Sequence, residues 1–221
     1  SKELFGQEFG AEFSVFEGKV WDFHRELDTG DFPYDSSLPT YCSIDFGFRM
    51  PAVIFLQTYW DGEIEHIRIF DTILHKENIK TEDLIKMIKT KGYPVMSYYG
   101  DPAGSNVQGQ SGAGDMEIFR RSGIRIMSAR DRMSRNIVAS VAYTRGFFES
   151  ADGIRRIHVD KKCTDMIEDF EEYRYPETED GKPIKEEPFK DGRHDHGNDA
   201  FRYFIINRFP MRNNEMKRIQ R

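Results

Sequence analysis

From residue 40 onward, runs dense in β-branched and aromatic residues alternate with short polar turns. "TYCSIDFG" (40–47), "AVIFLQTYW" (52–60) and "EIEHIRIFDTIL" (63–74) each have strand composition, punctuated by Arg49-Met50-Pro51 and by Asp61-Gly62. Connections this short predict an antiparallel meander. The period then lengthens: "TEDLIKMIKTKGYP" is apolar at 84, 85 and 88, opens on Thr81 as N-cap and stops at Gly92, which predicts an amphipathic helix. Farther on, "PVMSYYG" reads as a strand leading into a Gly-rich loop to Gly114, "MEIFRRSG" as a helix and "IRIMSA" as a strand. "MSRNIVASVAYTRGFF" reads as one longer helix, "IRRIHVD" as a strand, "CTDMIEDFEEYRY" as a helix and "DHGNDAFRYFIINRF" as a last helix with Asp195 as N-cap. The order predicts an α/β fold, a mixed sheet made of an antiparallel meander plus later strands and flanked by helices.

Between these elements the pattern marks boundaries. Residues 1–38 end in "DFPYDSSLP" and read as a lead-in or linker, residues 39–209 as the organised domain, and residues 210–221 as a fraying tail. Residues 176–193 form a polar insert with three prolines, readable as a mobile loop or as a small hairpin turning at Asp180-Gly181.

Composition narrows the function classes. No apolar run is long enough to span a bilayer, and the start lacks a signal-peptide layout, so a non-secreted protein without a membrane partner is expected. Two cysteines, Cys42 and Cys163, provide neither a disulfide framework nor zinc spacing and are expected to be buried. The net charge of −6 argues against coating nucleic acid through bulk positive field. Locally, "FRRSGIRIMSARDRMSR" (119–135) is rich in arginine, readable as a solvated helix face or as a phosphate-contacting surface.

The candidate chemistry is acidic. Asp45 interrupts an apolar strand, Asp101 follows a later strand, and Asp199 lies in the first turn of the last helix, three residues after His196 and on the same face. Hard carboxylate oxygens suit Mg²⁺ or Mn²⁺, and two such ions can activate water on one side of a phosphodiester while stabilising the leaving oxygen on the other. Asp45, on the central strand, is the candidate for bridging two ions.

The ordered set "IDFG", "YYGDPAG", "VDKKCTDMIEDFEEYRY", a polar insert and "DGRHDHGNDAFRY" resembles the nuclease domain of the large terminase subunit of tailed bacteriophages. The D-H-x-x-D-A-x-R-Y segment, Asp195 to Tyr203, is its most specific part. The resemblance implies an RNase H-like fold whose acidic triad, Asp45, Asp101 and Asp199, binds divalent metal and cuts double-stranded viral DNA during packaging with little sequence preference. Two ions, Mg²⁺ or Mn²⁺, are implied with DNA bound. His196 matches a histidine beside the third acid, in a position to orient a ligand, share in metal binding, move a proton, or simply cap the helix. Further implied are a separate ATPase domain, a portal and a small terminase subunit as partners, and the host cytoplasm as location. No G-x-x-x-x-G-K-[ST] motif occurs, so the chain reads as the nuclease part alone. Arg130, Arg132 and Arg135, with Lys182 and Lys185 of the insert, are the candidate DNA-phosphate contacts. Arg202 and Tyr203 are expected mainly to pack. Other functions open to the same residues are a junction resolvase or RNase H, and a non-catalytic module docking portal or motor.

Overall fold

The computed structural model describes residues 18–46, 50–101, 114–129, 132–176 and 186–211, without the side chains of 132 and 133. In chain order the elements are α1 (Arg25–Asp28), β1 (Thr29–Gly30), β2 (Thr40–Asp45), β3 (Ala52–Asp61), β4 (Ile64–Ile73), α2 (Thr81–Thr90), β5 (Val95–Gly100), α3 (Asp115–Arg121), β6 (Ile126–Met127), α4 (Arg132–Arg135), α5 (Ile137–Phe148), β7 (Ile157–Asp160), α6 (Thr164–Glu172) and α7 (Asp195–Arg208). Among the described residues the strands form one seven-stranded sheet in the order β1-β7-β4-β3-β2-β5-β6. The expected meander is present, with β2, β3 and β4 antiparallel. On either side of it β5 and β6, and β7 and β1, add in parallel.

Strand β2 is buried along all six residues, so both of its faces must be covered. Alternation divides it: Cys42 and Ile44 belong to a core formed with Val53, Phe55 and Phe70 under α2 and α3. Tyr41 joins the opposite core, where Ile54, Ile67 and Val159 meet α5, α6 and α7. Ser43 and Asp45 share the parity of Tyr41 and therefore face α7. The Ser43 hydroxyl donates to the carbonyl of Ala200 at 2.7 Å, which locks helix to strand.

The segment expected to be a lead-in is, from residue 18, part of the domain. Val20, Trp21 and Phe23 are buried in the α7-side core, Trp21 stacks on Phe148 at 5.1 Å, and β1 pairs with β7. Its apolar residues are too few and irregular to announce an element, yet burying a Trp and a Phe outweighs the lack of local periodicity. Two N-caps move back by one residue. The caps are Lys80 and His194, while Thr81 donates to Asp115 Oδ1 and Asp195 accepts the N–H of Gly192. The helix expected over 133–148 is broken into α4 and α5 at Asn136, whose side chain accepts the N–H of Ala139 and restarts the helix as a cap. Cys42 and Cys163 are buried, as expected.

Most of the insert and nearly all of the tail lie outside the described residues. At the base of the insert the N–H of Phe189 bonds the carbonyl of Arg174, bringing its ends together. Among the described residues no helix is long and apolar enough to cross a membrane.

Candidate active site

Parallel pairing of β2 with β5 aligns Ile44 with Gly100, so the next position on each strand carries an acid, Asp45 and Asp101, at the same end of the sheet. Gly100 permits this approach. A Cβ there would lie 3.2 Å from the carbonyl oxygen of Ile44 and 3.0 Å from the side chain of Ile126, tighter than an ordinary contact, so both neighbours would have to shift. Helix α7 crosses β2, β3 and β5 and delivers His196 and Asp199 from above. Its first turn is fixed by Asn198, which accepts the indole N–H of Trp21 at 2.5 Å and donates to the carbonyls of Asp169 and His194.

Four predicted residues come together around Asp45. His196 Nδ1 donates to Asp45 Oδ2 at 2.8 Å, and the charges of Asp199 and Asp101 both reach Asp45. Asp45 is 7 % exposed and Asp199 3 %, whereas Asp101 is half-buried. Burial foremost, with the neighbouring carboxylates, pushes the Asp45 carboxyl up to about 6 against the pull of His196. The hydrogen bond to Asp45 raises His196 above the ordinary imidazole value.

Asp199 behaves oppositely. Burial would raise its carboxyl, but Arg202 and Lys190 hold it below the usual range. Arg202 Nη2 donates to Asp199 Oδ1 at 2.8 Å and its Nη1 to Ser140 Oγ at 3.1 Å, while Lys190 Nζ lies 3.0 Å from Asp199 Oδ2. Arg202, expected mainly to pack, is thus the buried counter-ion of the third acid. Its i, i+3 spacing from Asp199 was the available signal. Lys190 carries no such signal, because only the folded path of the insert's end brings it there. Tyr203 lies against the acids, and burial with their negative charge raises its hydroxyl.

The DNA-contact candidates stand differently. Arg130, Lys182 and Lys185 lie outside the described residues, as does the side chain of Arg132; Arg135 is exposed at the end of α4. Ala129, within the arginine-rich stretch, clusters with Tyr203 and Ile206 of α7.

A hard divalent cation fits the chemistry of this donor set, oxygen ligands whose mutual repulsion already raises Asp45. As arranged, among the described residues no three His, Cys, Asp or Glu form a ready cage. Oxygens of Asp45 and Asp199 are instead turned to basic side chains of the protein, His196 for Asp45 and Arg202 and Lys190 for Asp199.

No family model matches the chain. In sequence it is 24 % identical over 214 residues to the large terminase subunit of Escherichia phage T5, an alignment covering 93 % of this chain and 45 % of that protein, so the chain spans about half its length. In fold it is similar to the nuclease domain of the P22 large terminase, with a TM-score of 0.62 and 18 % identity, covering 85 % of this chain and 91 % of that one. It is also similar to the large terminase nuclease domain of bacteriophage SPP1 with bound Mn, with a TM-score of 0.56 and 13 % identity, covering 80 % and 93 %. The expected RNase H-like mixed sheet is the fold these chains share.

Proposed function

We propose that this chain is the nuclease domain of a phage terminase large subunit, a divalent-metal-dependent endonuclease that cuts double-stranded DNA during genome packaging. The observation that carries this reading is the meeting of Asp45, Asp101 and Asp199 at one end of β2 and β5, with His196 bonded to Asp45. Sequence similarity to a terminase large subunit and a Mn-bound neighbour of the same fold support it.

In this reading Asp45, Asp101 and Asp199 would hold Mg²⁺ or Mn²⁺, two ions with DNA bound. The ions supply a Lewis acid and a water of lowered pKa. Asp45 sits on a strand fixed on both sides, so its oxygens stay in place as charge develops. His196 orients the Asp45 carboxylate, and Arg202 does the same for Asp199, each through one hydrogen-bonded oxygen. Arg130, Arg132, Arg135, Lys182 and Lys185 contact the DNA backbone, so cutting shows little sequence preference. ATPase domain, portal and small subunit act with the domain in the host cytoplasm; the cut leaves 5′-phosphate and 3′-hydroxyl ends.

Supercoiled plasmid incubated with the purified chain in EDTA, Mg²⁺ or Mn²⁺ tests this. Nicking and linearisation should need the divalent ion and be lost in Asp45→Asn with the fold retained. Cleavage that survives Asp45→Asn, or persists in EDTA, refutes it.

A further inference from the structure

Among the described residues three basic side chains stand on the acids of the site, and they differ in how freely they can leave. Arg202 has a side chain 6 % exposed, ion-paired to Asp199 and hydrogen-bonded to Ser140. His196, largely buried, is bonded to Asp45. The side chain of Lys190 is 56 % exposed, while that of its partner Asp199 is 4 % exposed. Lys190 can therefore withdraw into water by breaking that ion pair, since more than half of its side chain is already solvated.

The backbone under Lys190 is not free to follow. On one side the N–H of Phe189 bonds the carbonyl of Arg174; on the other Asp195 accepts the N–H of Gly192, and Asp191 accepts the N–H groups of Arg193 and His194. The lysine stem is a tether anchored at its root, and its ammonium is delivered onto Asp199 Oδ2, the oxygen that Arg202 leaves open.

We propose that Lys190 is the resident counter-ion of the acid cluster and competes with the divalent cation for Asp199, so that metal loading expels its ammonium from the pocket. The inference rests on the metal reading above and adds that the empty acid cluster is not an open trap for cations. A compact, strongly hydrated ammonium on a flexible stem suits this exchange, whereas the forked, buried Arg202 stays. A divalent cation at Asp199 Oδ2 would repel the ammonium that Lys190 holds at the same oxygen. The expected consequence is weak metal binding by the DNA-free domain.

Mn²⁺ binding to the full chain, without DNA, measured by the electron paramagnetic resonance signal of the free ion, tests this on wild type, Lys190→Met, Lys190→Arg and Asp45→Asn, each verified as folded by circular dichroism. Lys190→Met should bind Mn²⁺ about fivefold more tightly, the upper end for an ion pair with one solvent-exposed partner. Lys190→Arg should keep the wild-type affinity, and Asp45→Asn should lose binding. Wild-type binding that disappears in Asp45→Asn but is unchanged or weaker in Lys190→Met overturns the role of Lys190 and leaves the metal reading standing. No Mn²⁺ bound by wild type or by Lys190→Met overturns both.

Discussion

Replacing Arg202 by Met keeps most of the side chain's volume and removes its charge. Asp199 would then keep a single cation, Lys190, at 3.0 Å, and lose the guanidinium that reaches Oδ1 at 2.8 Å. Ser140 Oγ loses a donor at 3.1 Å and the ring of Tyr203 loses the guanidinium 4.8 Å from its centroid. Stripping one partner from a buried ion pair costs about 3–5 kcal/mol, and the surviving Lys190 ion pair places this variant near the lower figure, about 3 kcal/mol. The pH dependence follows from Asp199. Its folded carboxyl is held below the unfolded value, so it contributes stability that is present above the unfolded pKa and lost as the pH falls through the folded one. Without Arg202 burial raises that carboxyl instead, and protonating it relieves the variant. Urea unfolding of wild type and Arg202→Met, followed by circular dichroism in EDTA at pH 7 and at pH 4, should therefore show a gap that narrows in acid. The double variant Arg202→Met/Asp199→Asn should regain much of the loss at pH 7. A gap below about 1 kcal/mol at pH 7, or one that widens in acid, refutes the assignment of Arg202 as the buried counter-ion, since an exposed pair is worth no more.

Two further outcomes follow from other parts of the molecule. A chain starting at residue 38 loses Trp21, Phe23 and the β1–β7 pairing, and should give a collapsed, poorly dispersed amide NMR spectrum; a well-dispersed one would show that residues 18–37 are dispensable. In EDTA, Asp45→Asn should be more stable than wild type at pH 7 and equal to it below about pH 4. The folded carboxyl, near 6, lies above its unfolded value, so wild type loses stability as the pH rises between the two, and the variant has no such term. Urea midpoints across pH 3.5–7.5 measure this, and parallel curves would refute the buried, carboxylate-crowded environment of Asp45.

The elements from residue 40 to 208 were largely legible because each has a local cause: alternating or continuous apolar strands, a period near 3.6 in the helices, and Gly at their ends. The break at Asn136 was not. Helical periodicity runs through it, and a capping side chain decides the matter only when it turns back to bond the N–H of Ala139. The N-terminal segment was illegible for a related reason. Trp21 and Phe23 hold their place by filling space between α5 and α6, and nothing in their own neighbourhood announces that.

The candidate site divides in the same way. Sequence alone determined which residue types stand where: an acid at the end of a buried strand, another after a parallel strand, and a His and an Asp three apart on one helix face, because strand alternation and helical pitch are properties of the chain itself. Tertiary structure alone decided which of them meet and in what state. The register of β2 on β5, the Ser43 bond to α7 and the Asn198 bond to Trp21 bring acids 45, 101 and 199 together from three separate elements. It also brought Lys190 onto Asp199, buried the Asp199–Arg202 pair that helical pitch had already set side by side, and left Asp45 with His196, so that two chemically equal carboxyl groups are driven in opposite directions. The physical reason is that burial and Coulomb interaction depend on distance through space, and residues 45, 190 and 199 come within reach of one another only when the sheet and α7 are packed.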